Sequence, residues 1–202
     1  MRAEANILRK SGIAVISCGG HQEETKRAIS HLMQSGVNYL VSFGIAGALS
    51  PHLKTGDVIL ARHVMNGDGS AQETFPLPGM SKSHSEGLIL GIRAPLLLAA
   101  EKHALYQKTG ALAVDTESHL VAESGLPFSI IRAIADQADQ DLPAAVLNGL
   151  DKKGRARLGP VLIALFKNPR QLPGLIRAGE SSGKALRALF RCRGLLLAAN
   201  TR

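Results

Sequence analysis

The stretch that most constrains the fold runs from Ala111 to Asp141 and reads as strand, helix, strand and acidic loop. Ala111–Val114 and Phe128–Ala133 are short apolar runs of the kind that form buried strands. Between them, Glu117–Ser124 has room for about two helical turns and is followed by Gly125, which suits a helix end. This alternation predicts an α/β domain built around a sheet.

Both strands of this unit lead into carboxylates. Asp115 and Glu117 follow the first strand, and Asp136 follows the second. Ligands of open α/β sheets bind beyond the carboxyl ends of the strands. Two acidic groups at that edge can divide the work, one binding hydroxyl groups and the other moving a proton. The pattern therefore predicts a ligand site at this edge of the sheet.

A metal site is the alternative at the same place, because Asp115, Glu117 and His119 alternate along the chain. On a continued strand the three side chains would share one face. No zinc-type spacing accompanies them, and Glu117 is predicted to begin a helix. We therefore expect no metal.

Length and composition fit one domain with a sizeable core, since the chain has 202 residues and 45% of them are hydrophobic. There is no Trp and there are two Tyr and five Phe, so few rings are available to stack bases, and we expect no nucleic-acid partner. Cys18 and Cys192 match no metal or redox spacing, which indicates a reduced, cytoplasmic compartment. No apolar run approaches the roughly 18 residues of a membrane span.

The net charge of +8 is unevenly distributed. Residues 1–151 hold 12 Lys/Arg and 15 Asp/Glu, whereas residues 152–202 hold 12 Lys/Arg and one acid. Basic residues mark one side of a predicted helix over Lys184–Leu197, and apolar residues mark the other: Lys184, Arg187 and Arg191 against Leu186, Leu189, Phe190, Leu196 and Leu197. Either the helix packs on the sheet with a solvated basic face, or this surface rests on anionic lipid.

Several shorter patterns complete the element prediction. Ile13–Cys18 is predicted as a β-branched strand, and a helix follows over Gln22–Gln34. Gly19 and Gly20 between them predict a tight turn, with an anion-binding loop as the alternative. Tyr39–Phe43 is predicted as a buried strand that ends in a turn of small residues over Gly44–Leu49. The polar segment His63–Ser85 is predicted as a long loop.

The sequence VDTESH at 114–119, followed by PFSIIRAIADQAD at 127–139, resembles the paired signature of the nucleoside phosphorylase superfamily. The likeness is to the methylthioadenosine/S-adenosylhomocysteine nucleosidase branch, and GIAGAL at 44–49 fits it as well. The length, the Ser-His pair after the glutamate and the basic tail look most like the hopanoid-associated members, which remove adenine from adenosylhopane. The resemblance implies a single three-layer α/β/α domain over residues 1–202 with a mixed, twisted sheet, lacking the family's first strand. Residues 152–202 would be its basic helical C-terminal part.

The resemblance also implies roles for individual residues. Glu117 would bind the ribose hydroxyls and Asp136 would protonate N7 of the leaving purine. Glu4 would activate the attacking water. Asp136 would need a pKa raised by burial, with Asp139 and Asp141 helping to raise it. The other substrate-binding positions implied are Thr116, which replaces the family's usual methionine, and Gly44, Ile45, Ser17, Gly19 and Phe128.

No cofactor is implied, and the partner is an adenosine-type nucleoside, with a lipid-linked nucleoside at an anionic membrane surface as one form. Related phosphorylases hold phosphate with an arginine and a serine where this chain has Ser42 and Ile45, so water is the expected nucleophile and inorganic phosphate the alternative co-substrate. A homodimer or higher homo-oligomer is also implied. The alternative substrates are methylthioadenosine and S-adenosylhomocysteine. The alternative from another class is a non-catalytic nucleotide- or nucleic-acid-binding module.

Overall fold

A computed structural model describes residues 1–9, 11–19, 21–75, 85–148, 163, 166 and 168–200. The strands are β1 (Leu40–Ala48), β2 (Val58–Met65), β3 (Ala71–Glu73), β4 (Ser85–Gly91), β5 (Ala113–Asp115) and β6 (Phe128–Asp136). The α-helices are α1 (Arg2–Ile7), α2 (Gln22–Gln34), α3 (Ala99–Thr109), α4 (Ser118–Ala122) and α5 (Leu172–Asn200). Short 3₁₀ turns cover Ala144–Asn148 and Pro169–Gln171.

The six strands form one mixed sheet in the order β3-β2-β4-β5-β1-β6. Strand β1 runs parallel to β6 over most of its length and pairs antiparallel with β5 only at Gly47 and Ala48. Strand β2 also pairs with β6, so the last strand in this order contacts β2 as well as β1 and the sheet is partly closed. The predicted α/β class and mixed sheet are confirmed, whereas the contact between β2 and β6 was not predicted.

Helices cover both faces of the sheet, as the three-layer prediction requires. On one face, Ile29 of α2 and Leu120 of α4 pack on Leu40 and Ile130 of the central strands. On the other face, α1 and α5 pack on Ile131 and the odd-numbered residues of β1. Strand β6 lies between the two layers and is buried along its whole length. Its sequence is therefore mostly apolar, and its polar residues Ser129, Arg132 and Asp136 all have hydrogen-bond partners.

The predicted turn at Gly44–Leu49 is wrong, because β1 continues through this stretch to Ala48. Small residues are typical of turns, but a strand also needs them where a neighbouring strand carries large side chains. Strand β1 meets this situation next to β6.

The predicted strand at Ile13–Cys18 is also wrong, because this segment has no strand partner among the described residues. The segment and the first half of β1 both line one cavity, but no strand pairing joins them. Val15 and Ile16 keep 38% and 43% of their surface exposed. Its β-branched residues favour extended backbone, but a strand needs a neighbour to pair with.

The predicted loop at His63–Ser85 is partly wrong. Strand β2 extends to Met65, strand β3 forms a short antiparallel pair with it, and β4 begins at Ser85. Residues 76–84 of this segment, and Gly20 of the predicted tight turn, lie outside the described residues.

The C-terminal helix is longer than predicted and packs on the sheet. Ala185, Leu189 and Leu196 are buried in the same layer as α1. Lys184, Arg187 and Arg191 are exposed, and Phe190 remains 50% exposed on that outer side. Residues 152–162 of the predicted basic extension lie outside the described residues.

Candidate active site

Two glycines of β1 leave room for the two charged side chains of β6. Gly44 lies opposite Arg132 in the strand pairing, and Gly47 lies opposite Asp136. A Cβ at Gly44 would come within 2.5 Å of Arg132 Nη1, and a Cβ at Gly47 would come within 2.9 Å of Asp136 Oδ2. The small residues of GIAGAL therefore allow buried charges to lie against the sheet.

Arg132 is 2% exposed and is held by three side chains. Its Nε donates to Asp115 Oδ2, and its Nη2 donates to the hydroxyls of Ser42 at 2.6 Å and Ser118 at 3.0 Å. The planar guanidinium is thus fixed by an ion pair on one side and by two hydroxyls on another. Its remaining nitrogen, Nη1, lies beside Gly44 and faces the region of Glu4.

Asp115 also holds the start of α4 and Glu117, the residue that precedes this helix. Its Oδ1 accepts the backbone N–H groups of Glu117 at 3.3 Å and Ser118 at 3.0 Å, and its Oδ2 accepts the Ser118 hydroxyl. These bonds satisfy the first N–H groups of α4, which the helix itself leaves unpaired. Asp115 therefore acts as a structural anchor that links Arg132 to the start of α4.

A cavity of about 850 Å³ opens between the segment Gly12–Cys18, the first half of β1 and the start of α4. Glu4, Ser17 and Glu117 line it together. Glu4 is 8% exposed, and its Oε1 accepts the backbone N–H of Ile45 at 2.9 Å, while Oε2 pairs with the amino group of Met1. Three of the predicted site residues therefore share one cavity, and Gly44 and Ile45 do not line it but lie next to Glu4, which does.

Ser17 adds a polar group that is ready for a ligand. Its hydroxyl is buried and has no hydrogen-bond partner among the described residues. A buried hydroxyl without a partner costs free energy unless a ligand or water satisfies it. It lines the same cavity as Glu117, where a polar ligand could reach it.

Asp136 lies farther along β6, four residues and thus about 13 Å from Arg132 along the strand. It is 9% exposed, and its Oδ2 accepts a hydrogen bond from the Lys102 ammonium at 2.5 Å. Burial raises the pKa of Asp136 above its ordinary value, and the Lys102 charge opposes that rise. The expected role of Asp139 and Asp141 is not seen: Asp141 instead accepts the N–H of Ala99 at the start of α3.

Thr116, Gly19 and Phe128 are not among the residues that line the cavity. Thr116 lies partly buried between Asp115 and Glu117, and Gly19 adopts a positive φ of 64° at the end of the cavity-lining segment. Phe128 lies at the opposite end of β6 from Asp136, where it is 3% exposed in the hydrophobic core. The structure therefore does not bring Phe128 to the other site residues.

The sequence analysis assigned no role to two candidate functional residues, Arg132 and Lys102. Arg132 could have been identified from the sequence, because it lies within an apolar strand, where a charged side chain needs a buried partner. Lys102 carried none, since a lysine in a mixed polar helix is normally exposed. Neither Asp115 nor His119 belongs to a metal cluster: Asp115 is engaged by Arg132, and His119 packs beside Gly91. Within the described ranges no three His, Cys, Asp or Glu side chains are grouped to hold a metal ion.

Proteins of known activity resemble this chain in sequence. A family model of the phosphorylase superfamily matches residues 6–84. A 5′-methylthioadenosine/S-adenosylhomocysteine nucleosidase of Maridesulfovibrio salexigens is 21% identical over 187 residues, which cover 77% of this chain and 81% of that protein. The sequence match agrees with the expected resemblance at the level of the superfamily.

Solved structures show the same architecture. The 5′-methylthioadenosine/S-adenosylhomocysteine nucleosidase of Helicobacter pylori superimposes with a TM-score of 0.60 and 17% identity, over 97% of this chain and 94% of that one. Futalosine hydrolase of the same organism gives a TM-score of 0.53 and 19% identity, over 66% of this chain and 85% of that one. The fold of this protein is therefore the fold of these nucleosidases.

Proposed function

We propose that this protein cleaves the N-glycosidic bond of an adenosine-type nucleoside and releases adenine. The observation that carries the proposal is the arrangement along β6. Near Arg132, Glu4 and Glu117 line one cavity, and about 13 Å along the strand a buried carboxyl, Asp136, has a raised pKa. A nucleoside needs different chemistry at its sugar and at its base, and this strand offers a group for each.

The base end needs a proton donor. Breaking the bond between C1′ and N9 leaves positive charge on the sugar and negative charge on the purine. Asp136 would donate a proton to N7, so the electron pair of the broken bond is accommodated on a neutral base. A donor must be protonated when the substrate is bound, and burial favours that form of Asp136.

The sugar end needs acceptors for hydroxyls and a group that activates the nucleophile. Glu117 lines the cavity, and its carboxylate would accept hydrogen bonds from the ribose hydroxyls. Glu4 lines the same cavity, next to Arg132 Nη1 and the N–H of Ile45. In this position it would take a proton from the attacking water. None of these steps calls for a cofactor.

The nucleophile in this proposal is water. The Arg132 guanidinium is neutralised by Asp115 and occupied by the hydroxyls of Ser42 and Ser118, so it does not offer a free fork to phosphate. The Glu4 carboxylate beside it would also repel a phosphate dianion. The surroundings of Arg132 therefore suit Glu4 as an anionic general base better than they suit phosphate as a co-substrate.

We expect turnover in phosphate-free buffer with a free ribose-type sugar as product. Chromatographic identification of the sugar, with and without added phosphate, measures this. Strict dependence on phosphate, with a sugar 1-phosphate as product, would reject water as the nucleophile.

Replacement of Glu4 by Gln should lower the rate of adenine release by on the order of 10²-fold, because the amide cannot accept the proton from water.

The substrate we propose is a lipid-linked nucleoside of the adenosylhopane type, with methylthioadenosine or S-adenosylhomocysteine as the alternative. The named relatives support the alternative directly. The outer side of α5 supports the lipid-linked form, because Lys184, Arg187 and Arg191 are exposed there around a half-exposed Phe190. Arg193 lies 4.1 Å from the centre of the Phe190 ring. A basic surface with an exposed aromatic residue suits the interface of an anionic membrane.

The described helices include none with the length and apolar content to cross a bilayer. The contact we propose is therefore peripheral and electrostatic, on the inner face of the membrane. Each basic residue near an anionic surface contributes on the order of 1 kcal/mol, and the attraction is screened over about 8 Å at physiological salt. A homodimer or higher oligomer is also part of the proposal, and light scattering measures it.

We expect the protein to pellet with anionic liposomes, and less so as salt rises. A Lys184/Arg187/Arg191→Glu variant should lose most of this binding. The matched control reverses three exposed charges elsewhere, Lys54/Arg93/Lys108→Glu, and should bind at least half as well as the wild type. Equal loss in both variants, or no binding by the wild type, would leave α5 as a packing element. Methylthioadenosine would then be the better substrate.

A further inference from the structure

Lys102 is a fully buried lysine in the first turn of α3, with 0% of its surface exposed. Its ammonium donates to Asp136 Oδ2 at 2.5 Å, to the carbonyl of Gln140 at 2.8 Å and to the carbonyl of Gln137 at 3.0 Å. An ammonium group has three N–H donors, so all three are used. Lys102 therefore joins α3, the end of β6 and the loop that follows β6.

This arrangement fixes the orientation of the Asp136 carboxyl. Oδ2 is held by Lys102, which leaves Oδ1 as the oxygen that can turn to a ligand. A Cβ on Gly47 of the neighbouring strand would lie 2.9 Å from Oδ2 and 3.4 Å from Oδ1, so the glycine is what allows the carboxyl to lie this close to β1. The adjacent residue, Ala135, has no hydroxyl that could hold the carboxyl, so Lys102 does so.

Lys102 is the charged group that acts on Asp136 within the described part of the chain. Strand β1 presents Gly47 to Asp136, and Asp115 of β5 is engaged by Arg132. The acids of α3 and of the loop after β6 have other surroundings. Asp141 accepts the N–H of Ala99, Glu101 accepts the N–H of Leu98, and Asp139 is exposed.

We propose that Lys102 is the positioning residue of the leaving-group step: it aims the Asp136 carboxyl at the base and sets the pH range in which that carboxyl is protonated. The inference rests on the proposed function. As the proton moves from Asp136 to N7, the carboxyl becomes a carboxylate, and the ammonium at 2.5 Å stabilises the charge that develops. The same ammonium favours the ionised form in the free protein, whereas burial favours the protonated form.

The pH profile of the turnover rate separates this role from a purely structural one. Protonated Asp136 is the active form, so the rate falls as pH rises through its pKa. Replacing Lys102 with Met or Gln removes the positive charge, which raises that pKa and moves the alkaline limb to higher pH. We also expect the maximal rate to fall by about tenfold or more, because the developing carboxylate loses its counter-charge.

Two further variants serve as controls. Lys102→Arg retains the charge and should keep the alkaline limb near its wild-type position. Lys108→Met removes an exposed charge from the same helix and should change neither rate nor limb. A loss of rate that is uniform with pH in Lys102→Met and Lys102→Gln, with the limb unmoved, would overturn the proposal.

A titration without substrate separates this inference from the proposed function. Carboxyl ¹³C NMR of aspartate-labelled protein, with the Asp136 signal assigned from its loss in Asp136→Asn, reports the pKa directly. We expect a higher pKa in Lys102→Gln than in the wild type, and an unchanged pKa would overturn the role of Lys102. If the pKa rises but the wild type releases no adenine, the proposed function fails while the electrostatic coupling stands.

Discussion

Asp136→Asn is expected to lower the rate of adenine release by ~10²–10⁴-fold, the usual contribution of general acid catalysis. The amide has the shape of the carboxyl, and its oxygen can still accept the hydrogen bond from Lys102, so we expect the fold to be retained. What it lacks is the proton for N7. Steady-state rates of adenine release, measured beside circular dichroism of both proteins, test the prediction.

The control for this variant lies three residues away, in the loop that follows β6. Asp139 is exposed, so Asp139→Asn removes one carboxylate from the neighbourhood and should leave the rate within about twofold of the wild type. If Asp136→Asn kept nearly the full rate, another group would have to protonate the base.

Arg132→Met is expected to reduce the free energy of unfolding by about 3–5 kcal/mol, because it leaves a buried carboxylate without its counter-charge. Asp115 is 8% exposed and cannot turn to water. The hydroxyl of Ser42 would also lose its donor. Urea unfolding of the wild type and the variant measures the difference.

Arg62 provides the matched comparison, since it also lies on a strand and pairs with an acid. Its Nη2 lies 2.8 Å from Glu86, but its side chain is 51% exposed. Arg62→Met should therefore cost no more than about 1 kcal/mol. If the two variants were equally destabilised, the ion pair between Arg132 and Asp115 would not be the anchor of the site. The double variant Arg132→Met/Asp115→Asn should recover part of the loss.

The α/β class, the mixed sheet and most helices could be predicted, because their residues repeat with the period of the element that they form. Helix Gln22–Gln34 matches its prediction at both ends. Long-range pairing explains the failures. Ile13–Cys18 has the composition of a strand but no ladder partner, and Gly44–Leu49 has the composition of a turn but lies beside the large charged residues of β6.

The candidate site could be predicted in part for a similar reason. Carboxylates at strand ends are visible in the sequence, and Glu4, Ser17 and Glu117 do line one cavity. Lys102 could not be predicted, because its contact to Asp136 joins residues 34 positions apart and depends on how α3 packs. The raised pKa of Asp136 has the expected cause, burial, but its charged neighbour is a cation and not the expected acids.

Release of free adenine by the wild-type protein is the measurement that tests the central claim most directly. The protein is incubated with adenosine and with 5′-methylthioadenosine in phosphate-free buffer, and the products are separated by chromatography. Binding of the same nucleosides is measured by calorimetry. We expect stoichiometric adenine and free sugar, with multiple turnovers per protein molecule. Nucleoside binding without any adenine release, in the wild type and in Asp136→Asn alike, would contradict the account and identify a binding protein instead of an enzyme.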